Sequence, residues 1–194
     1  RWNDYGIGLL RQGDSGSNKG ELRQAEQAFR QVEVLGDMDG AMNLARVYFK
    51  EGRVDEASQA LRRAPAGDPP APHWTISWFS ALIDRENGHL DEAIYSLESI
   101  IDTRFENARR RGFDFSKDVR VTNTLGRTLF ERARLERGET RRATRMEFLE
   151  RARAALLQTL ETDPENLAAH YNLGLVYAEL GAMMPRSGGE FHFI

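Results

Sequence analysis

Side chains able to do covalent or metal chemistry are few in this 194-residue chain, and they stand apart from one another. The four histidines, His73, His89, His170 and His192, are scattered along the sequence. None sits at a helical spacing from a second histidine or an acidic cluster that would hold a metal ion. Cysteine is absent, which removes disulfides, thiolate nucleophiles and Cys-ligated zinc or iron–sulfur clusters within these residues. There is no Gly-rich phosphate loop, no nucleophile elbow and no pair of carboxylates set in an apolar context. The expectation is therefore no enzyme: no catalytic residue, no metal ligand and no cofactor within the chain. What remains is recognition chemistry, for which arginine and aromatic rings are suited. Among the 27 basic residues only Lys19, Lys50 and Lys117 are lysines, a bias that a GC-rich genome explains more simply than guanidinium chemistry.

The elements that must carry these groups are helices. Apolar residues recur at three- and four-residue spacings, as at Leu44, Val47 and Tyr48, which places them on one stripe of a helix. Glycine punctuates the pattern at Gly13, Gly52, Gly88, Gly138 and Gly181, each after a helix-length segment. The reading is paired helices over 2–36, 38–65, 73–111 and 119–163, a half pair over 167–181, and an irregular tail over 182–194 where Pro185, Gly188 and Gly189 forbid a regular helix. The whole of 1–181 is expected to be one helical repeat domain. Within the fourth pair, strong helix formers on both sides of Gly138 predict two unusually long helices and a protruding spur. Met183, Met184, Phe191, Phe193 and Ile194 are expected to fold back on the last helix or to contact a partner.

Composition narrows the setting. The formal charge of −3 and a pI near 5.9 give no whole-chain drive toward nucleic acid or an anionic membrane, and no unbroken apolar run would span a bilayer. The chain opens at Arg1 without an initiator Met and is inside a helical pattern by Trp2, so it reads as an excerpt. Residues 104–153 hold 15 Arg or Lys against 8 Asp or Glu. That basic middle admits an RNA-binding alternative, while Glu and Arg at helical spacing make a solvated, weakly paired face the simpler account.

The stretches "AMNLARVYFKEGRVDEASQALRRA" and "NLAAHYNLGLVYAELG" resemble tetratricopeptide repeats. Leu44, Ala45 and Tyr48 in a first helix, Gly52 in the turn, and Ala57, Leu61 and Ala64 in a second helix carry the likeness; Asp84 departs from it, standing where the family usually has an aromatic. The resemblance implies an all-α fold, a right-handed superhelical solenoid of antiparallel helix pairs with about 4.5 repeats. It further implies a non-enzymatic scaffold whose first helices line a concave groove for a peptide or a partner protein. Carried onto this sequence, the groove columns are Met42, Arg46 and Phe49, then Trp78, Leu82 and Arg85, then Asn123, Arg127 and Phe130, and finally Tyr171 and Leu175. Arg46, Asn123 and Arg127 lead the candidates, since polar groups on an otherwise apolar face have few core roles. Only Asn43 matches the Lys, Asn and Arg set with which some family members hold chaperone tails, so that ligand class is not expected.

The phrases "RWNDYGIGLL", "GFDFSKDVRVTNTLG" and "DPENLAAHYNLGLVYAELG" are also similar to the tetratricopeptide portion of some bacterial multihaem c-type cytochrome proteins. That similarity implies docking to an electron-transfer partner, with the haems carried elsewhere. The compartment stays open: bacterial cytoplasm, or an extracytoplasmic site if the cytochrome likeness holds.

Overall fold

The structure, a computed structural model, describes residues 1–13, 19–102 and 106–184. The chain divides into two compact units, Arg1–Ser116 and Lys117–Ile194. In the first, helices α1 (Trp2–Gly13), α2 (Lys19–Val34), α3 (Met38–Lys50), α4 (Val54–Arg63), α5 (His73–Glu86), α6 (Leu90–Ile101) and the short α7 (Glu106–Arg110) follow in order. The second contains α8 (Val119–Ala133), α9 (Arg142–Thr162) and α10 (Leu167–Met183).

Local chemistry sets the helix ends. Asp37, in extended conformation, accepts a hydrogen bond from the Asp39 N–H at 3.0 Å and so satisfies an otherwise orphaned donor at the start of α3. Asp118 and Asn166 cap α8 and α10 in the same way. Gly52 and Gly88 adopt φ of 73° and 79° in the α3–α4 and α5–α6 turns, a left-handed conformation that costs other residues more. Two expectations from glycine need correction. Gly181 lies inside α10, which continues to Met183. The predicted spur is also absent: α8 stops at Ala133, and only α9 is long. At the intervening turn Gly138 takes φ 84°, and buried Glu136 accepts hydrogen bonds from Arg132 and Arg141 on either side of it.

Consecutive helices pack as hairpins, α1 on α2, α3 on α4, α5 on α6 and α8 on α9. Each second helix also touches the next first helix within its unit, and α1 meets α3, α3 meets α5 and α8 meets α10. That pattern of neighbours is the one an α-solenoid requires. Close crossing inside a hairpin depends on one small residue of the first helix. A Cβ added at Gly6 would fall 2.6 Å from the Phe29 ring, and one at Gly126 would strike Leu156. Ala45 and Ala81 occupy the same column and are wholly buried. In the third hairpin the column that holds Leu9, Tyr48 and Leu129 elsewhere holds Asp84, whose carboxyl burial pushes above its ordinary range against the opposing charge of His89.

A charged knot fastens α2 to the second hairpin. Glu26 accepts from Arg30 at 2.7 Å, from Arg53 at 2.8 Å and from the Tyr48 hydroxyl at 3.1 Å. Burial pushes this carboxyl up, but the three donors together hold it below the usual carboxylate range. A carboxyl depressed in the folded state contributes stability that is present above its unfolded pKa of about 4.3 and disappears as pH falls through the folded value. From about pH 5 down to pH 3, thermal unfolding of the wild-type chain should therefore drop more steeply than that of Glu26→Gln. Parallel slopes for the two proteins would show that the knot contributes nothing.

Candidate functional site

In the first unit a polar line crosses three successive first helices. The Asn3 amide of α1 donates to Asp39 of α3 at 2.7 Å, and Asn43 donates to the Asn3 side-chain oxygen at 2.9 Å. Arg46, one turn along α3, donates to the Asn43 oxygen at 3.0 Å, and its guanidinium lies 5.0 Å from the centroid of the Phe79 ring on α5. Burial lowers the pKa of Arg46, with the charge of Asp39 acting in the opposite sense. A guanidinium carries five N–H donors. Among the described residues one side-chain acceptor serves them, which leaves a partly desolvated cation able to take a carboxylate or carbonyl oxygen from outside. Phe49 and Phe79 pack against the core beside it and give the site an apolar flank.

Of the residues expected to line a groove, Trp78, Leu82 and Arg85 on α5 are half-buried, as are Arg46 and Phe49 on α3. Met42 needs correction: it is 5% exposed and belongs to the hydrophobic core, because α3 is flanked on both sides and its side chain is long enough to reach the packed interface. In its place the line uses Asn3, Asp39 and Phe79, which the column argument passed over. Asn3 stands three residues before Gly6 as Met42 does before Ala45, so its position was discoverable by spacing; Asp39 and Phe79 became visible only through their contacts with Asn3 and Arg46.

Two family models described as tetratricopeptide repeat match residues 18–76 and 137–183, together just over half of the chain. The chain belongs to the tetratricopeptide-repeat family. No curated protein matches it. Among solved structures it is similar to MamA (AMB-1), with a TM-score of 0.59 at 20% identity over 94% of this chain and 82% of that one. A MamA point mutant aligns with a TM-score of 0.60, again at 20% identity, covering 94% of this chain and 87% of that chain. A monomeric mutant of IFIT1 with m7Gppp-AAAA aligns with a TM-score of 0.67 at 17% identity, covering 94% of this chain and 39% of that one. These likenesses establish the solenoid fold. The tetratricopeptide repeat is generally a non-enzymatic protein-interaction fold, and the chain is in that sense an interaction scaffold. The weaker cytochrome likeness is carried by none of these matches.

The remaining groove candidates of this tetratricopeptide chain lie in the second unit. Asn123 accepts from the Asn172 amide at 3.4 Å, linking α8 to α10. Arg127 is exposed and pairs with Glu131 on its own helix at 2.9 Å. Phe130, like Met42, is buried, at 7% exposure, and so serves packing; Tyr171 is 69% exposed. Leu175 is half-buried. Several arginines in the basic middle of the sequence are paired with nearby carboxylates. Arg110 pairs with Glu106, Arg120 with Asp118, Arg132 and Arg141 with Glu136, Arg145 with Glu179, and Arg153 with Glu150. No group of three or more His, Asp or Glu residues that could hold a metal ion occurs among the described residues, and none of their helices is long and apolar enough to cross a membrane.

Proposed function

We propose that the first-helix face of the Arg1–Ser116 unit binds a segment of a partner protein, with Arg46 taking a carboxylate or backbone carbonyl and Phe49 and Phe79 covering an apolar side chain beside it. The observation that carries this reading is the Arg46 guanidinium: partly desolvated, held in place by Asn43 and Phe79, and with donors to spare. An arginine already oriented by its own fold loses little freedom when a ligand arrives, so its hydrogen bonds contribute to affinity and specificity. Half-buried Trp78, Leu82 and Arg85 extend the proposed surface along α5.

The test begins with affinity purification from the source organism and mass spectrometry, followed by calorimetry on the partner so identified. Arg46→Ala should weaken its binding at least about tenfold, consistent with loss of a charge-assisted hydrogen bond worth roughly 1.5–3 kcal/mol. Arg46→Lys should recover only part, because an ammonium lacks the planar fork. Both variants should keep the wild-type circular dichroism. Unchanged affinity in Arg46→Ala would remove this arginine from the interface, and loss of helicity would assign it to structure.

A further inference from the structure

The second and third hairpins of the Arg1–Ser116 unit run in register: Ala45, Gly52 and Ala57 of one correspond to Ala81, Gly88 and Ala93 of the other at a constant offset. On that register Leu44 and Tyr48, which fill α3 at 1% and 5% exposure, are replaced on α5 by Ser80 and Asp84. Two large side chains become two short ones. A cavity of about 410 Å³ opens between α4 and α5 in consequence, against about 220 Å³ for the space that Leu44 and Tyr48 line. Its size falls within the roughly 300–1,000 Å³ of small-ligand pockets.

The cavity combines two kinds of wall. Leu61 of α4 and Ile76 and Ile83 of α5 supply aliphatic surface, while Asp84 and Ser80 bring in a carboxyl and a hydroxyl. In the second hairpin the acid of the corresponding region, Glu26, is served by the Tyr48 hydroxyl and the Arg53 guanidinium. In the third the acid is Asp84 on the first helix, and Ser58 and His89 stand where Glu26 and Arg53 would. Among the described residues no hydrogen bond or ion pair reaches the Asp84 carboxyl. Burial nonetheless strips it of water and raises its pKa, with the charge of His89 opposing and that of Glu92 assisting. Arg62, which also lines the cavity, donates to the Ser58 hydroxyl at 2.9 Å. A partly desolvated carboxylate short of donors, set beside aliphatic surface, favours a cation with an apolar stem.

We infer that the cavity between α4 and α5 binds an organic ammonium on an aliphatic chain, the chemistry of a lysine side chain or an alkylamine. The ammonium, with three donors, is taken by the Asp84 carboxylate and the Ser80 hydroxyl, and the methylenes lie along Leu61, Ile76 and Ile83. This site is separate from the Arg46 site and selects the opposite charge. The third hairpin has exchanged packing for recognition at the positions where the second is filled by its own leucine and tyrosine.

The probe is Nα-acetyl-lysine methylamide, titrated into the full isotope-labelled chain and followed by the backbone amide resonances of α4 and α5. Saturable shifts are expected. The norleucine derivative, which lacks the charge, should bind at least about tenfold more weakly, and the glutamate derivative should give no saturable shift although Arg62 is close by. Asp84→Asn should weaken the lysine derivative at least about tenfold while keeping the wild-type helicity and melting temperature, because no group of the fold depends on that charge. Asp84→Tyr, which restores the ring of the second hairpin, should abolish binding by refilling the cavity. Arg46→Ala should bind as the wild type does, which separates this proposal from the Arg46 site. Butylammonium binding as tightly as the lysine derivative would assign recognition to the ammonium and its stem alone, and tighter binding of the lysine derivative would assign the site to a lysine of a polypeptide. Absence of saturable shifts, equal binding of the norleucine or glutamate derivative, or unchanged affinity in Asp84→Asn or Asp84→Tyr would overturn the inference.

Discussion

Gly40→Ala should be among the most damaging single-methyl changes available in this protein, lowering stability by about 2–3 kcal/mol even after the roughly 1 kcal/mol that alanine gains over glycine inside a helix. Gly40 sits in the first turn of α3, and a Cβ there would come within 3.0 Å of the backbone nitrogen and Cα of Glu33 on α2. A side chain in the way can rotate, but a backbone cannot. Glu33 is also tethered from the far side by Arg63 of α4 at 2.6 Å, so α2 has little room to retreat. The contrast is Gly174→Ala, where nothing lies within 4 Å; that change should raise stability by up to about 1 kcal/mol. Urea unfolding followed by circular dichroism resolves both signs. A neutral Gly40→Ala would mean that the α2–α3 contact is looser than described.

Arg132→Ala should cost about 2–3 kcal/mol, which is large for a residue that is not itself in the apolar core. Its partner Glu136 is a buried carboxylate, 5% exposed, receiving Arg132 at 2.6 Å and Arg141 at 3.4 Å. Arg132 also lies 4.8 Å from the Phe148 ring centroid, which joins the end of α8 to α9. Removing it leaves a charge in a poorly solvated place with one weak partner, and that penalty exceeds the net worth of the pair. The double change Arg132→Met with Glu136→Leu should be much milder than Arg132→Ala alone. If chemical denaturation shows the single and double variants equally unstable, the buried charge is not the cause.

Much of the fold is legible in residue spacing. The small residue in each first helix and the alanine of each second helix are properties of a close crossing, and a close crossing is local in sequence. Helix stops at Gly52 and Gly88 are legible for the same reason, because a left-handed residue is decided by its own backbone. Gly138 shows the boundary of that argument: its position was readable, but the burial of Glu136 beside it involves partners on both sides of the break.

The candidate site was less legible. Helical spacing gives the direction of a side chain from its own axis but not how deep the neighbouring helices reach, so Met42 and Phe130 share a direction with Arg46 and Arg127 yet end up inside. Similarly, Arg46 and Arg127 occupy equivalent columns, but one is desolvated beside Phe79 while the other is exposed and paired with Glu131. No pattern within a single helix distinguishes them.

From the amino-acid order alone came the helix pairs, most of the places where they stop and the small-residue columns. The tertiary structure decided which guanidinium is left with unused donors, which carboxylate is enclosed at a turn, and which one faces a cavity without a donor. The physical reason is the range of the forces involved. Backbone conformation and side-chain direction are set within a few residues, whereas desolvation and steric closure depend on atoms that approach from distant parts of the chain.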